Sequence, residues 1–162
     1  MELAEQVGAR LRELRLTLAV ADAASAGRLP DAITAVPGSS AYFLGALVPY
    51  DNASKVRLLR VRPETLARHG AVSAQAAEEM AAGVRDLFGA DVGLATTGLL
   101  GPSGGSAEKP VGLVWAAVAS ERGVRSLRHQ VGGDRQANKE AFALAALGLL
   151  AEELERWRSA AS

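Results

Sequence analysis

The chain has no cysteine, and that absence removes a disulfide framework, Cys-ligated zinc and a cysteine nucleophile. Histidine is scarce: His69 and His129 are too few for the usual histidine-rich metal sites, and both read as ordinary surface residues. There is no surplus of positive charge. Eighteen Lys and Arg balance 18 Asp and Glu, so the electrostatic footprint of a general nucleic-acid binder is missing. The longest apolar run, 141–151, falls well short of the ~20 residues that span a bilayer. The opening segment MELAEQVGARLREL carries charges where a secretory signal needs an apolar stretch, so a cytoplasmic location with no membrane contact is expected.

Lysine is also rare. It supplies three of the 18 basic residues, Lys55, Lys109 and Lys139, while alanine supplies 33 of the 162 positions, a bias that a GC-rich genome would produce. Arginine stays protonated, whereas a desolvated lysine can lose its proton and act as a base, so each of the three is a candidate. With 49 % hydrophobic and 22 % charged residues, 1–162 has the composition and length of one globular domain.

Leu3, Val7, Leu11 and Leu14 recur at helical spacing, which predicts an amphipathic helix over 2–15. Residues 17–21 suit a buried strand, and Pro30 and Asp31 suit the first turn of a helix reaching Val36, with a PGSS turn after it. A second strand is expected over 42–50, with Pro49 at its end. Short helices follow, one capped by Asn52 and running to Leu59, one from Pro63 to Arg68, then a longer one capped by Ser73. Further strands are expected over 91–97 and 111–119, and 124–131 pairs with the latter through a 120–123 turn; a last helix covers 136–157. Strands separated by helices and closed by a hairpin imply an α/β layered domain with a mixed sheet.

Ligands of open α/β sheets bind beyond the carboxyl ends of strands, and four segments have that placement. They are the small-residue loop 22–27, the segment Tyr50-Asp-Asn-Ala-Ser-Lys55, the glycine-rich 97–105 continuing to Glu108-Lys-Pro-Val-Gly112, and Gly132-Gly-Asp-Arg135. At the last, a helix start and an Arg fork would meet an anion together. Each has a plainer reading, as turn glycines, a solvated helix face or an Asp N-cap. No Ser–His–Asp order, Walker motif or metal-ligand spacing is present.

Taken in order, PGSSAYFLGALVPYDNASKVRLLRV, LARHGAVSAQAAEEMAAG, TTGLLGPSGGSAEKPVG and GGDR resemble the CinA C-terminal domain family, over about Leu18 to Leu150. The resemblance implies a three-layer αβα sandwich with a mixed sheet. It implies a nicotinamide-nucleotide amidohydrolase lineage, which hydrolyses the carboxamide of nicotinamide mononucleotide to the nicotinate form and ammonia. No metal or other cofactor is implied, nor any nucleic-acid or membrane partner; the implied partners are a pyridine nucleotide and further copies of the chain.

The residues that carry over are Tyr50 and Lys55 as catalytic, with the lysine as base. Asp22, Gly27, Ser39, Ser40, Thr97, Gly98, Gly101, Pro102, Lys109 and Arg135 carry over as substrate-binding, the arginine on phosphate. Lys139 stands where a second arginine is usual, and Leu100 replaces an alanine, a bulkier neighbour expected to crowd the pocket. The family's first strand ends Ala-Glu-Ser-Cys-Thr-Gly-Gly, with the serine as nucleophile; here it reads Ala21-Asp-Ala-Ala-Ser-Ala-Gly27, so Ala23 holds the nucleophile position. Pro30 suggests a helix start shifted away from the pocket, and Asp51 suggests an anion that keeps Lys55 protonated. Two readings follow: a domain that keeps the pocket but lacks efficient amidase activity, or an active amidohydrolase in which Ser25 or another group replaces the lost nucleophile.

Overall fold

The computed structural model describes residues 2–161. Five strands form one sheet in the order β2-β1-β3-β4-β5. They are β1 (Leu18–Asp22), β2 (Phe43–Leu47), β3 (Val92–Gly98), β4 (Leu113–Ser120) and β5 (Gly123–Gln130). β1 runs parallel to both β2 and β3, whereas β3–β4 and β4–β5 are antiparallel, so the sheet is mixed. The chain leaves β1 through α2 (Arg28–Thr34) to β2 and returns through α3 (Asn52–Leu59), α4 (Pro63–His69) and α5 (Ala74–Phe88) to β3. These connections bring the carboxyl ends of three parallel strands together at one edge of the fold.

Alternation along the strands builds the two cores. Leu18, Val20, Val92, Leu94, Ala116 and Val118 face α1 (Glu2–Leu14), α2 and α6 (Arg135–Ala161). Ala19, Ala21, Ala95, Ala117 and Ala119 face α5 and the α3–α4 region instead. The architecture is therefore the expected three-layer αβα sandwich. The α5 face is built from small residues because the helix lies very close: a Cβ on Gly93 would stand 2.1 Å from the Ala81 carbonyl oxygen, and one on Gly83 1.9 Å from that of Leu59. Much of the alanine bias thus has a packing use.

Local chemistry sets the element ends. Ser73 Oγ accepts from Ala76 N at 3.1 Å and caps α5, whose end is Gly89 in the left-handed region. The cap of α3 is Asp51 rather than the expected Asn52, its carboxylate accepting from Ser54 N at 2.8 Å. α2 begins at Arg28, two residues before Pro30, which sits in its first turn, where a proline removes an N–H that has no partner within the helix. β2 and β4 are shorter than expected. Val111 and Gly112 form a turn, with Gly112 N donating to Leu99 O at 2.7 Å, and the segment after Leu47 leaves the sheet toward Pro49.

Candidate functional site

A cavity of about 260 Å³ opens where β1, β2 and β3 end. Its walls come from Ala23 and Ala24 after β1, from Tyr50, Asn52 and Lys55 after β2, from Thr97 to Gly101 and Ser103 after β3, and from Arg135. Ala71 and Val72, between α4 and α5, close one side, held there by Thr97 Oγ1 donating to Ala71 O at 2.8 Å. A depression of about 340 Å³ between α1 and α6 is bordered by Arg10 in ion pairs with Glu13 and Glu155, and it gathers no comparable set of groups.

The loop after β1 is held from within by one carboxylate. Asp22, fully buried, accepts at Oδ1 from Thr96 Oγ1 (2.7 Å) and Ser25 N (3.0 Å), and at Oδ2 from Ser25 Oγ (2.6 Å), Gly27 N (2.8 Å) and Leu29 N (3.2 Å). Thr96 also accepts, at its carbonyl from Ala23 N and at Oγ1 from Ala24 N, both at 3.2 Å. Gly27 sits at φ +112°, a conformation that closes the turn onto this carboxylate. Asp22, Ser25 and Gly27 therefore shape the loop and lie behind the cavity wall, while Ala23 lies in it. Ser25 has no exposed surface; besides its bond to Asp22, its oxygen accepts from Leu29 N at 3.2 Å.

Lys55 is buried on the first turn of α3 and lines the cavity. Nζ donates to the carbonyls of Tyr50 (3.3 Å) and Asp51 (3.4 Å), and among the described residues it forms no ion pair. Burial lowers its pKa below the usual lysine value, with the Asp51 charge opposing. Asp51 was expected to keep the lysine protonated; its exposed carboxylate is engaged at the helix cap, and desolvation is the larger influence. The Asp51 carboxyl itself is held low, chiefly by its bonds to Ser54. Arg135 Nη1 donates to Gly101 O at 2.7 Å and Nη2 to the Tyr50 hydroxyl at 3.4 Å, linking the segments after β2 and β3 to the start of α6. Among the described residues no acidic side chain lines the cavity beside Lys55 and Arg135.

Of the expected site residues, Tyr50, Lys55, Thr97, Gly98, Gly101 and Arg135 converge on this cavity. Pro102 sits in the exposed loop between Gly101 and Ser103 without joining the wall. Ser39 and Ser40 stand apart. They form a short 3-10 turn before β2, and Phe43 pairs with Leu18, so they lie at the amino-terminal edge of the parallel strands, across the sheet from the cavity. Lys109 is outside as well: its amine donates to the His69 carbonyl, and its side chain borders a neighbouring groove with Trp115 and Arg128. Lys139 follows one turn after Arg135 and does not reach the wall. Leu100 touches the cavity but is 7 % exposed and packs with Ala24, Val114 and Phe142, so most of its added bulk goes into the core. Asn52, Ala71, Val72 and Ser103 were not singled out; Asn52 and Ser103 lie inside candidate segments, whereas Ala71 and Val72 carried no such signal.

His69 and His129 are exposed, and among the described residues no cluster of three or more His, Cys, Asp or Glu is placed to hold a metal ion. No described helix is long and apolar enough to cross a membrane.

Comparison with known proteins agrees with this fold. A CinA-like protein of Chloroherpeton thalassium is 44 % identical over 158 residues, covering 95 % of this chain and 38 % of its own length. One of Chlorobaculum tepidum is 48 % identical over 154 residues, covering 91 % and 36 %. The chain thus spans little more than a third of these relatives. Among solved structures, a competence-damaged protein (CinA) superfamily member from Klebsiella pneumoniae superposes with a TM-score of 0.92 at 33 % identity, over 96 % of this chain and 98 % of that one. A competence/damage inducible protein from Agrobacterium tumefaciens gives 0.87 at 37 %, over 95 % and 94 %. The CinA C-terminal domain matches residues 1–154, and the chain belongs to that family.

Proposed function

We propose that this CinA-family domain binds a pyridine mononucleotide in the cavity at the strand ends and lacks efficient amidase activity. The observation that carries the reading is Ala23, a methyl in the cavity wall at the position where the family resemblance puts a serine nucleophile. Lys55 supplies a buried amine of lowered pKa, as a base would require, but it has no hydroxyl beside it to activate. Arg135 at the first turn of α6 suits the nucleotide phosphate, and the glycine-rich segment after β3 lets the ligand approach the backbone.

Nothing in the cavity favours the moved-nucleophile alternative. Ser25 is sealed behind the wall, with its hydroxyl bonded to Asp22. Thr97 is engaged with Ala71, and Ser103 belongs to the exposed loop. The test is ammonia release from nicotinamide mononucleotide. The parent chain is expected to stay at background, and Ala23→Ser to raise turnover by about 10³-fold or more, since a missing nucleophile costs orders of magnitude. Parent activity comparable to that of an active relative, abolished by Ser25→Ala or Ser103→Ala, would overturn the reading.

A further inference from the structure

The bonding of the Lys55 amine has a consequence beyond a base with nothing to activate. A neutral amine has two N–H donors and one lone pair, and the structure supplies two acceptors, the carbonyls of Tyr50 and Asp51. Among the described residues Lys55 forms no ion pair, and Ala23 contributes a methyl rather than a hydroxyl to the same cavity wall. The third position of the amine has no hydrogen-bond partner among the described residues, and Lys55 lines an open cavity. Burial, which disfavours the ammonium form, acts in the same direction. Arg135 also lines the cavity, stands at the start of a 27-residue helix, and forms no ion pair among the described residues.

We propose that Lys55 is itself the reactive group of this cavity, an amine that condenses with a small phosphorylated aldehyde or ketone whose phosphate is held by Arg135. The Nζ lone pair adds to the carbonyl carbon and forms the C–N bond. The carbonyl oxygen takes a proton to become a hydroxyl. That hydroxyl leaves as water when the C=N bond forms, so both amine hydrogens depart with the oxygen and no electrons are exchanged with another reactant. The proposal shares the cavity of the preceding section but not its ligand.

The chain's three lysines make the test internal. The 162-residue protein is treated with pyridoxal 5′-phosphate as a phosphorylated aldehyde probe, and separately with pyridoxal; each imine is reduced with borohydride and located by peptide mass mapping. With the phosphorylated probe, Lys55 is expected to be labelled about tenfold or more faster than Lys109 or Lys139, because a charge-assisted phosphate contact at Arg135 holds the aldehyde at this cavity alone. Arg135→Ala is expected to slow this labelling about tenfold, a loss of one charge-assisted contact, and to leave labelling by pyridoxal unchanged. Lys55 left unlabelled, or three lysines labelled at equal rates, overturns the assignment of the amine; indifference to Arg135→Ala overturns the assignment of the phosphate. Mapping the unsubstituted protein needs no Lys55 variant to fold. If nicotinamide mononucleotide fails to bind while Lys55 is labelled selectively, the preceding reading falls and this one stands.

Discussion

One carboxylate fixes the loop that forms the back of the cavity. Asp22 serves five donors from Thr96, Ser25, Gly27 and Leu29, and its burial leaves none of them an alternative in water. Asp22→Ala should cost about 3 kcal/mol or more of stability, measured by urea unfolding, because each buried donor left bare costs about 1–3 kcal/mol. Lys55 gives a prediction with a definite sign. Its pKa is lowered in the fold from an ordinary 10.5, so between the folded value and 10.5 the unfolded chain binds more protons. Stability should therefore rise with pH across that interval, the full penalty of burying the charge being present below it and gone above it. Lys55→Met should remove that component of the slope; an identical slope in the variant would refute it. The lysine was legible in the sequence through its rarity and its distance from Tyr50. Ser25 was kept as an alternative nucleophile because nothing in sequence shows that its hydroxyl faces inward to Asp22.

At the scale of elements, the periodicity of α1 and the Ser73 cap of α5 predict what forms, and the Ser120–Gly123 turn joins β4 and β5 as expected. What periodicity does not reveal is where the cavity forms, and Ser39 and Ser40, just ahead of β2, lie at the opposite end of the parallel strands from it. It is equally silent on interlayer spacing. α5 approaches the sheet closely enough that Gly93 meets the backbone of Ala81, so Gly93→Ala forces either the helix or β3 to move. Overpacking of this kind costs about 1–3 kcal/mol, and a lowered melting temperature with unchanged far-ultraviolet circular dichroism is expected. Gly89→Ala makes a contrasting control. Open space surrounds a Cβ there, and its cost comes only from the positive φ of 63° that ends α5.

Over the whole molecule, acids and bases balance, yet the cavity gathers Lys55 and Arg135 without an acid in its wall. The site's charge was legible residue by residue but not as a local excess, which exists only once three strand ends meet. A phosphorylated ligand should stabilise the fold; at a hundredfold excess over its Kd, nicotinamide mononucleotide should add about 2.7 kcal/mol, seen as a rise in melting temperature. The rise should shrink as salt is added, since the Debye length falls to about 10 Å at 0.1 M ionic strength. The Asp22 network bears on evolution as well as on stability. The concave nest of amides that turns of this kind offer to an incoming anion is here filled by the chain's own side chain. The loop is therefore assembled before any ligand arrives, and the only hydrogen bond from position 23 in it is the main-chain N–H to Thr96 O, while its methyl packs at the edge of the core. On the function proposed above, architecture and chemistry are uncoupled at that position, which leaves a single codon free to take the reaction away or return it while the scaffold stays the same.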